Sequence, residues 1–251
     1  MLSHHGPSRS DKQNRYLAAH LALISGFVNA VGFVMLGSFT SHVTGNFARF
    51  ANDLALREPT ASSALAMVFA FLLGATVASV MLESAVFRTT PQAYGVALLL
   101  EAALLTVVVV VVTRVPLTLR NIDWETAALC AAMGMQNSLV TRISGAVVRT
   151  THLTGVLTDI GIEAARWFRF WRAALSRRVG IPLVLSPTPE RPSAPKIILL
   201  ATIMVSFGIG ALAGAYAATA FGQLALLAPV LALVVAAFLA FYSDGRPSDA
   251  K

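Results

Sequence analysis

Charge is scarce in this chain: only 12% of its 251 residues are Asp, Glu, Lys or Arg. A soluble domain carries about 25%, so a water-soluble globule is a poor reading. Cysteine is nearly absent. Cys130 stands alone inside an apolar run, which excludes an intrachain disulfide and argues against a thiolate metal site. Also missing are a phosphate-binding Gly-rich loop with Lys, a dinucleotide fingerprint, His-Glu-x-x-His and Gly-x-Ser-x-Gly, and with them the commonest soluble enzyme chemistries. Nothing matches a nucleic-acid module, so no nucleic-acid partner is expected. Acidic residues are the scarcer charge, 12 against 19 basic ones, for a net charge of +7. The basic excess lies in tails and loops, where it suits a membrane surface.

What is abundant is apolar sequence, 56% of the chain, with a mean hydropathy of +0.71. A helix needs about 20 mostly apolar residues to span a bilayer. Segments 17–41 and 59–82 carry no charge, 89–113 carries only Glu101, and 126–141 is a shorter uncharged run opened by Trp124. The uncharged run 197–243 is too long for one helix and divides at Phe221, Gly222 and Gln223. The expectation is an all-α, polytopic transmembrane bundle of about six full spans plus two short helices.

The organisation expected is a basic tail (1–16), a first repeat (17–113), a linker and start of a second repeat (114–165), a cytoplasmic connection (166–196), two last spans (197–243) and a tail (244–251). The first apolar run is too long for a signal peptide and should remain as an anchor. Arginines in the first tail and in 166–196 put both chain ends in the cytoplasm. Within that connection, Trp167, Phe168, Phe170 and Trp171 oppose Arg166, Arg169 and Arg172 around a helix, the pattern of a helix lying among headgroups. Five prolines from Pro182 to Pro195 then read as an extended linker.

An internal repeat carries the most information. Gly26-Phe-Val-Asn29 precedes His42-Val-Thr44-Gly45-Asn46, and Gly134-Met-Gln-Asn137 precedes His152-Leu-Thr154-Gly155. The same register pairs Asp53 with Glu163, and Phe71-Leu-Leu-Gly74-Ala75 resembles Phe207-Gly-Ile-Gly210-Ala211. If each half crosses three times, the halves are inverted, as in many transporters. If both short segments cross as well, there are eight spans and parallel halves; charge leaves both counts open. The polar content of the first segment, Arg49, Asn52 and Asp53, favours six.

Broken helix at membrane depth must be buried in protein or line a water-filled cavity. Thr44 and Thr154 are placed to cap the helices that follow, and Gly45 and Gly155 to permit close approach. Two half-helix N-termini facing each other would suit a small polar or anionic solute. Asn29, His42, Thr44, Gly45, Asn46, Asn137, His152, Thr154 and Gly155 are therefore the candidate substrate-binding residues. The bland alternative is that the histidines and asparagines only satisfy broken backbone and glue helices. Glu101 is the proton-coupling candidate, and Arg49 with Asp159 a possible ion pair. No catalytic residue, metal or cofactor is expected; the lipid bilayer is the partner, and an oligomer is open.

At Gly-Phe-Val-Asn-Ala-Val-Gly-Phe (26–33) and Ser-His-Val-Thr-Gly-Asn (41–46), the chain resembles the YoaK-like family of bacterial inner-membrane proteins, a domain of unknown function. The resemblance runs from about Tyr16 to Tyr242 and implies a multi-pass inner-membrane protein. The chain departs from it at Asn29, where the family carries an acidic residue. The function expected is a small-solute transporter or channel with a midplane site between the repeats; an intramembrane enzyme or membrane partner subunit is the alternative.

Overall fold

The computed structural model describes residues 10–84, 92–115, 122–144, 151–179 and 192–242. The elements are α1 (Asp11–Leu36), α2 (Val43–Ala55), α3 (Ala61–Glu83), α4 (Gln92–Arg114), α5 (Ile122–Ile143), α6 (Leu153–Val179), α7 (Ala194–Phe221), a 3-10 turn (Gly222–Leu226) and α8 (Leu227–Tyr242). No strand occurs among the described residues. Four stretches there are long and apolar enough to cross a membrane: Asp11–Leu36, Ala61–Glu83, Tyr94–Arg114, and Ala194–Tyr242, which contains α7, the 3-10 turn and α8. Helix α5 is less apolar, with Asp123, Glu125, Gln136, Asn137 and Arg142, yet it buries Leu129, Met133 and Leu139 almost completely.

Local chemistry sets the boundaries. Helix α1 starts at Asp11, inside the expected tail, because Ser10 and Gln13 form a reciprocal capping box. Gly37, at φ 70°, ends it. Gly222, at φ 60°, separates α7 from α8 where the long uncharged run was expected to divide. One expectation needs correction. The second short helix, expected over 155–165, is the first part of the 27-residue α6. Between Ala165 and Val179 there is no Gly or Pro to stop it, and the Glu163–Arg166 pair spans the junction. The boundary expected at 165/166 thus falls inside α6, and that at 196/197 inside the first turn of α7. Most of the proline-rich segment, Pro182, Pro187 and Pro189 included, lies outside the described residues, as do 1–9 and 243–251.

The core is built on close glycine crossings. A β-carbon on Gly26 of α1 would collide with the Phe207 carbonyl of α7, and one on Gly210 with the Leu23 carbonyl. A β-carbon on Gly134 of α5 would likewise collide with the Phe71 carbonyl of α3, and one on Gly74 with the Ala131 carbonyl. At both crossings the absent side chains let backbones touch, the contact that dispersion rewards where lipid supplies no hydrophobic drive. Leu23 meets Gly210 and Phe27 meets Gly214, so α1 and α7 run parallel. Helices α1 and α5 run antiparallel: Ser25 bonds Gln136, and Gly32 lies against Leu129. Gly95, in the first turn of α4, lies against the Phe241 ring at the end of α8, so these two packed helices are antiparallel as well.

Candidate functional site: two stitched helix breaks

Each break is tied back to the helix before it by an asparagine. The Asn29 side-chain oxygen accepts from the Ser41 amide at 3.1 Å and the Ser41 hydroxyl at 3.0 Å. The Asn137 side-chain amide donates to the Thr151 hydroxyl. At the first break this gives a freed backbone group, the Ser41 N–H, a buried partner; at the second, the group held is the Thr151 side chain.

His42 is the N-cap of α2, with no side-chain cap bond. Its ring folds over Gly45, where a β-carbon would come within 2.7 Å of Nδ1; His152 covers Gly155 in the same way. Both glycines are needed for this contact. The capping role expected of Thr44 and Thr154 is corrected. Both lie inside their helices, which start at Val43 and Leu153, and a capping side chain must stand outside the first turn. His42, Thr44, His152 and Thr154 are exposed, Gly45 and Gly155 half-buried, and Asn46 buried. Burial along 41–53 recurs along 151–163 at every position but one, where exposed Arg49 corresponds to half-buried Asp159.

A buried carboxylate then fixes each break helix to the next long helix. Asp53 of α2 accepts from the Thr60 hydroxyl, before α3, at 2.8 Å, with Arg49 at 3.4 Å. Glu163 of α6, only 1% exposed, accepts from Lys196 of α7 at 3.0 Å and from Arg166 at 2.8 Å. Thr60 and Lys196 each stand fourteen residues before their crossing glycine, Gly74 or Gly210. The Lys196 hydrogen bond, with the charges of Lys196 and Arg166, holds the Glu163 carboxyl below its ordinary value against the opposing push of burial.

The Arg49–Asp159 pair is not what the structure brings together. Arg49 pairs with Asp53 one turn along its own helix and bonds Ser38. Asp159 lines a cavity of about 400 Å³ with Asp11, Ser193, Lys196 and Leu199. Helix α2 rests on α3 and α6 on α7, and an i,i+4 partner needs no second element to be positioned.

Glu101, on α4, is completely buried, and neither carboxyl oxygen has a hydrogen-bond partner. Helix α8, which packs on α4, offers no polar side chain before Tyr242. Gln136 on α5 is also fully buried; Ser25 donates to its oxygen, while its Nε2 is unpartnered. Sequence reasoning missed Ser25, Gln136, Ser41, Thr151, Thr60 and Lys196. Carrying the Gly74/Gly210 register back to Thr60 and Lys196 would have found the last two.

An all-helical bundle with apolar spans and two stitched polar breaks defines a class of integral membrane protein. Residues 17–239 match the family described as "Protein of unknown function (DUF1275)", and the chain belongs to it. Among curated proteins it is 29% identical over 151 residues to the UPF0700 transmembrane protein RA0705 of Rhizobium meliloti (strain 1021). That alignment covers 60% of this chain and 61% of the relative's length. No solved structure matches.

Proposed function

We infer that the protein is a transporter or channel for a small polar or anionic solute in the bacterial inner membrane, built from two inverted halves with both termini cytoplasmic. The observation that carries this reading is the antiparallel course of α1 with α5 and of α4 with α8. These pairs hold corresponding places in the two halves. Three crossings per half make such pairs antiparallel, whereas four would make them parallel, which supports six spans over eight. The matched crossings (Gly26 on Phe207, Gly134 on Phe71), the matched stitches and the matched carboxylates support a duplication.

On this reading the two breaks serve opposite faces. Asn29, His42, Thr44, Gly45 and Asn46 line the outer approach; Asn137, His152, Thr154 and Gly155 line the cytoplasmic one. The first-turn amides of α2 and α6 supply positive ends for an anionic or dipolar group. Between the faces, Glu101 is the proton-coupling group. An unpartnered carboxyl in a span is costly and is retained where it has a use. The test is flux: purified full chain in sealed vesicles with a trapped pH dye, offered small carboxylates, inorganic anions and neutral polar solutes under a pH gradient. Solute-dependent proton movement or uptake is expected for one class. Vesicles that remain tight to every class, while the protein is folded and correctly inserted, would overturn the reading.

A further inference from the structure

The second half of α6 is not explained by transport. From Ala164 to Val179 it contains five arginines and no acidic residue. Its sides divide three ways at 100° per residue. One side faces α7 and holds buried Val156 and Glu163, with Trp167 and Phe170 half-buried. Next to it runs an exposed apolar stripe of Leu157, Phe168, Trp171 and Leu175, between 56% and 67% exposed. Beyond the stripe, Arg169 and Arg172 are exposed on a side that also holds buried Ala173 and Ser176, while Arg178 is exposed on the opposite flank of the stripe, next to the side facing α7. The Glu163–Lys196 bond pins α6 to the first turn of α7, where a span begins and headgroups lie.

We propose that this face of α6 is a seat for anionic phospholipid, with the Leu157 to Leu175 stripe among the upper acyl chains and Arg169, Arg172 and Arg178 on headgroup phosphates. The apolar stripe alone would accept any lipid. The arginines choose the anionic one: guanidinium groups bind phosphate bidentately, and α6 itself carries no carboxylate after Glu163 to compete for them. Trp171, at the edge of the stripe toward Arg178, has the amphipathic ring favoured at that depth. A second copy of the chain would cover the stripe but leave the like-charged arginines on its two flanks unpaired.

Trp124→Phe leaves Trp167 and Trp171 as the only tryptophans, both on this helix. The full chain with that change is placed in mixed vesicles of phosphatidylcholine and phosphatidylglycerol, with bromine carried on the acyl chains of one lipid at a time. Each engaged arginine should enrich anionic lipid at the helix by about fivefold, so brominated phosphatidylglycerol should quench more strongly at equal mole fraction. The excess should fall with salt, as the Debye length shrinks from about 10 Å at 0.1 M to about 3 Å at 1 M, and should vanish in Arg169→Gln/Arg172→Gln/Arg178→Gln. Should the triple variant not fold, Arg172→Gln and the salt series on the parent decide. Equal quenching by both lipids, or a preference indifferent to salt and to the arginines, overturns the proposal. So does protection from both lipids that is lost on dissociation of a dimer.

Discussion

Glu163 accepts a hydrogen bond from Lys196 at 3.0 Å, and this bond ties α6 to α7 as the Asp53–Thr60 bond ties α2 to the start of α3. The Glu163 carboxyl lies below its ordinary value of 4.5, so its contribution to stability is full above 4.5 and is lost as pH falls through the lowered folded value. Glu163→Gln should lower the melting temperature of the full chain in detergent at neutral pH and flatten the acid side of its profile. Lys196→Met should do the same, and the double variant should lose less than the sum. Additive losses would show that the two side chains act independently. Thr60→Val, at the neutral counterpart, should cost about 1 kcal/mol with no added pH dependence.

The glycine crossings predict a contrast in denaturant titrations. Gly134→Ala forces a methyl group onto the Phe71 carbonyl and should destabilise by about 1–3 kcal/mol. Gly161→Ala, on α6, meets open space and should stabilise by up to about 1 kcal/mol through helix propensity. Equal effects at the two positions would remove the crossing argument.

Topology is checked by labelling in a Cys130→Ala background. An impermeant thiol reagent added outside sealed cells should modify a cysteine at Arg57, in the connection between α2 and α3, and leave one at Arg178 untouched until the membrane is opened. Thr44 and Thr154, both exposed, should react from opposite sides. Labelling of Thr44 and Thr154 from the same side would favour parallel halves and sink the inverted arrangement.

Glu101 offers a trade between stability and function. A charged group at bilayer centre costs about 2.5–3.5 kcal/mol on insertion scales, and Glu101 has no protein partner to offset a polar group there. Glu101→Leu should therefore raise the melting temperature while abolishing pH-driven accumulation. Glu101→Gln should fold normally, keep solute exchange and lose accumulation. Undiminished accumulation in either variant takes Glu101 out of the mechanism.

The sequence by itself determined the solvent and the apolar helices. Twenty-residue apolar runs can be satisfied only as helices in lipid, so the apolar helices were legible from hydropathy, and the split near Gly222 from the length of one run. Glu101 stood out for the same reason, a lone acid in an apolar span. The two His-x-Thr-Gly segments marked the breaks, but their use was misread in part. Thr44 caps nothing, because cap geometry depends on where the chain turns, a matter of backbone angles that residue type does not fix. Only the tertiary structure decided that α1 crosses α7 and α5 crosses α3, that Asn29 holds Ser41, that Arg49 turns to Asp53, and that α6 runs unbroken through Ala165. It also decided the direction of α5 against α1 and of α8 against α4. Charge counts left six and eight crossings equal, since the positive-inside rule reads only which loops are basic. Helix direction is a relation between elements distant in the chain, carried by contacts such as Ser25 with Gln136 and Gly95 with Phe241, which no local pattern encodes.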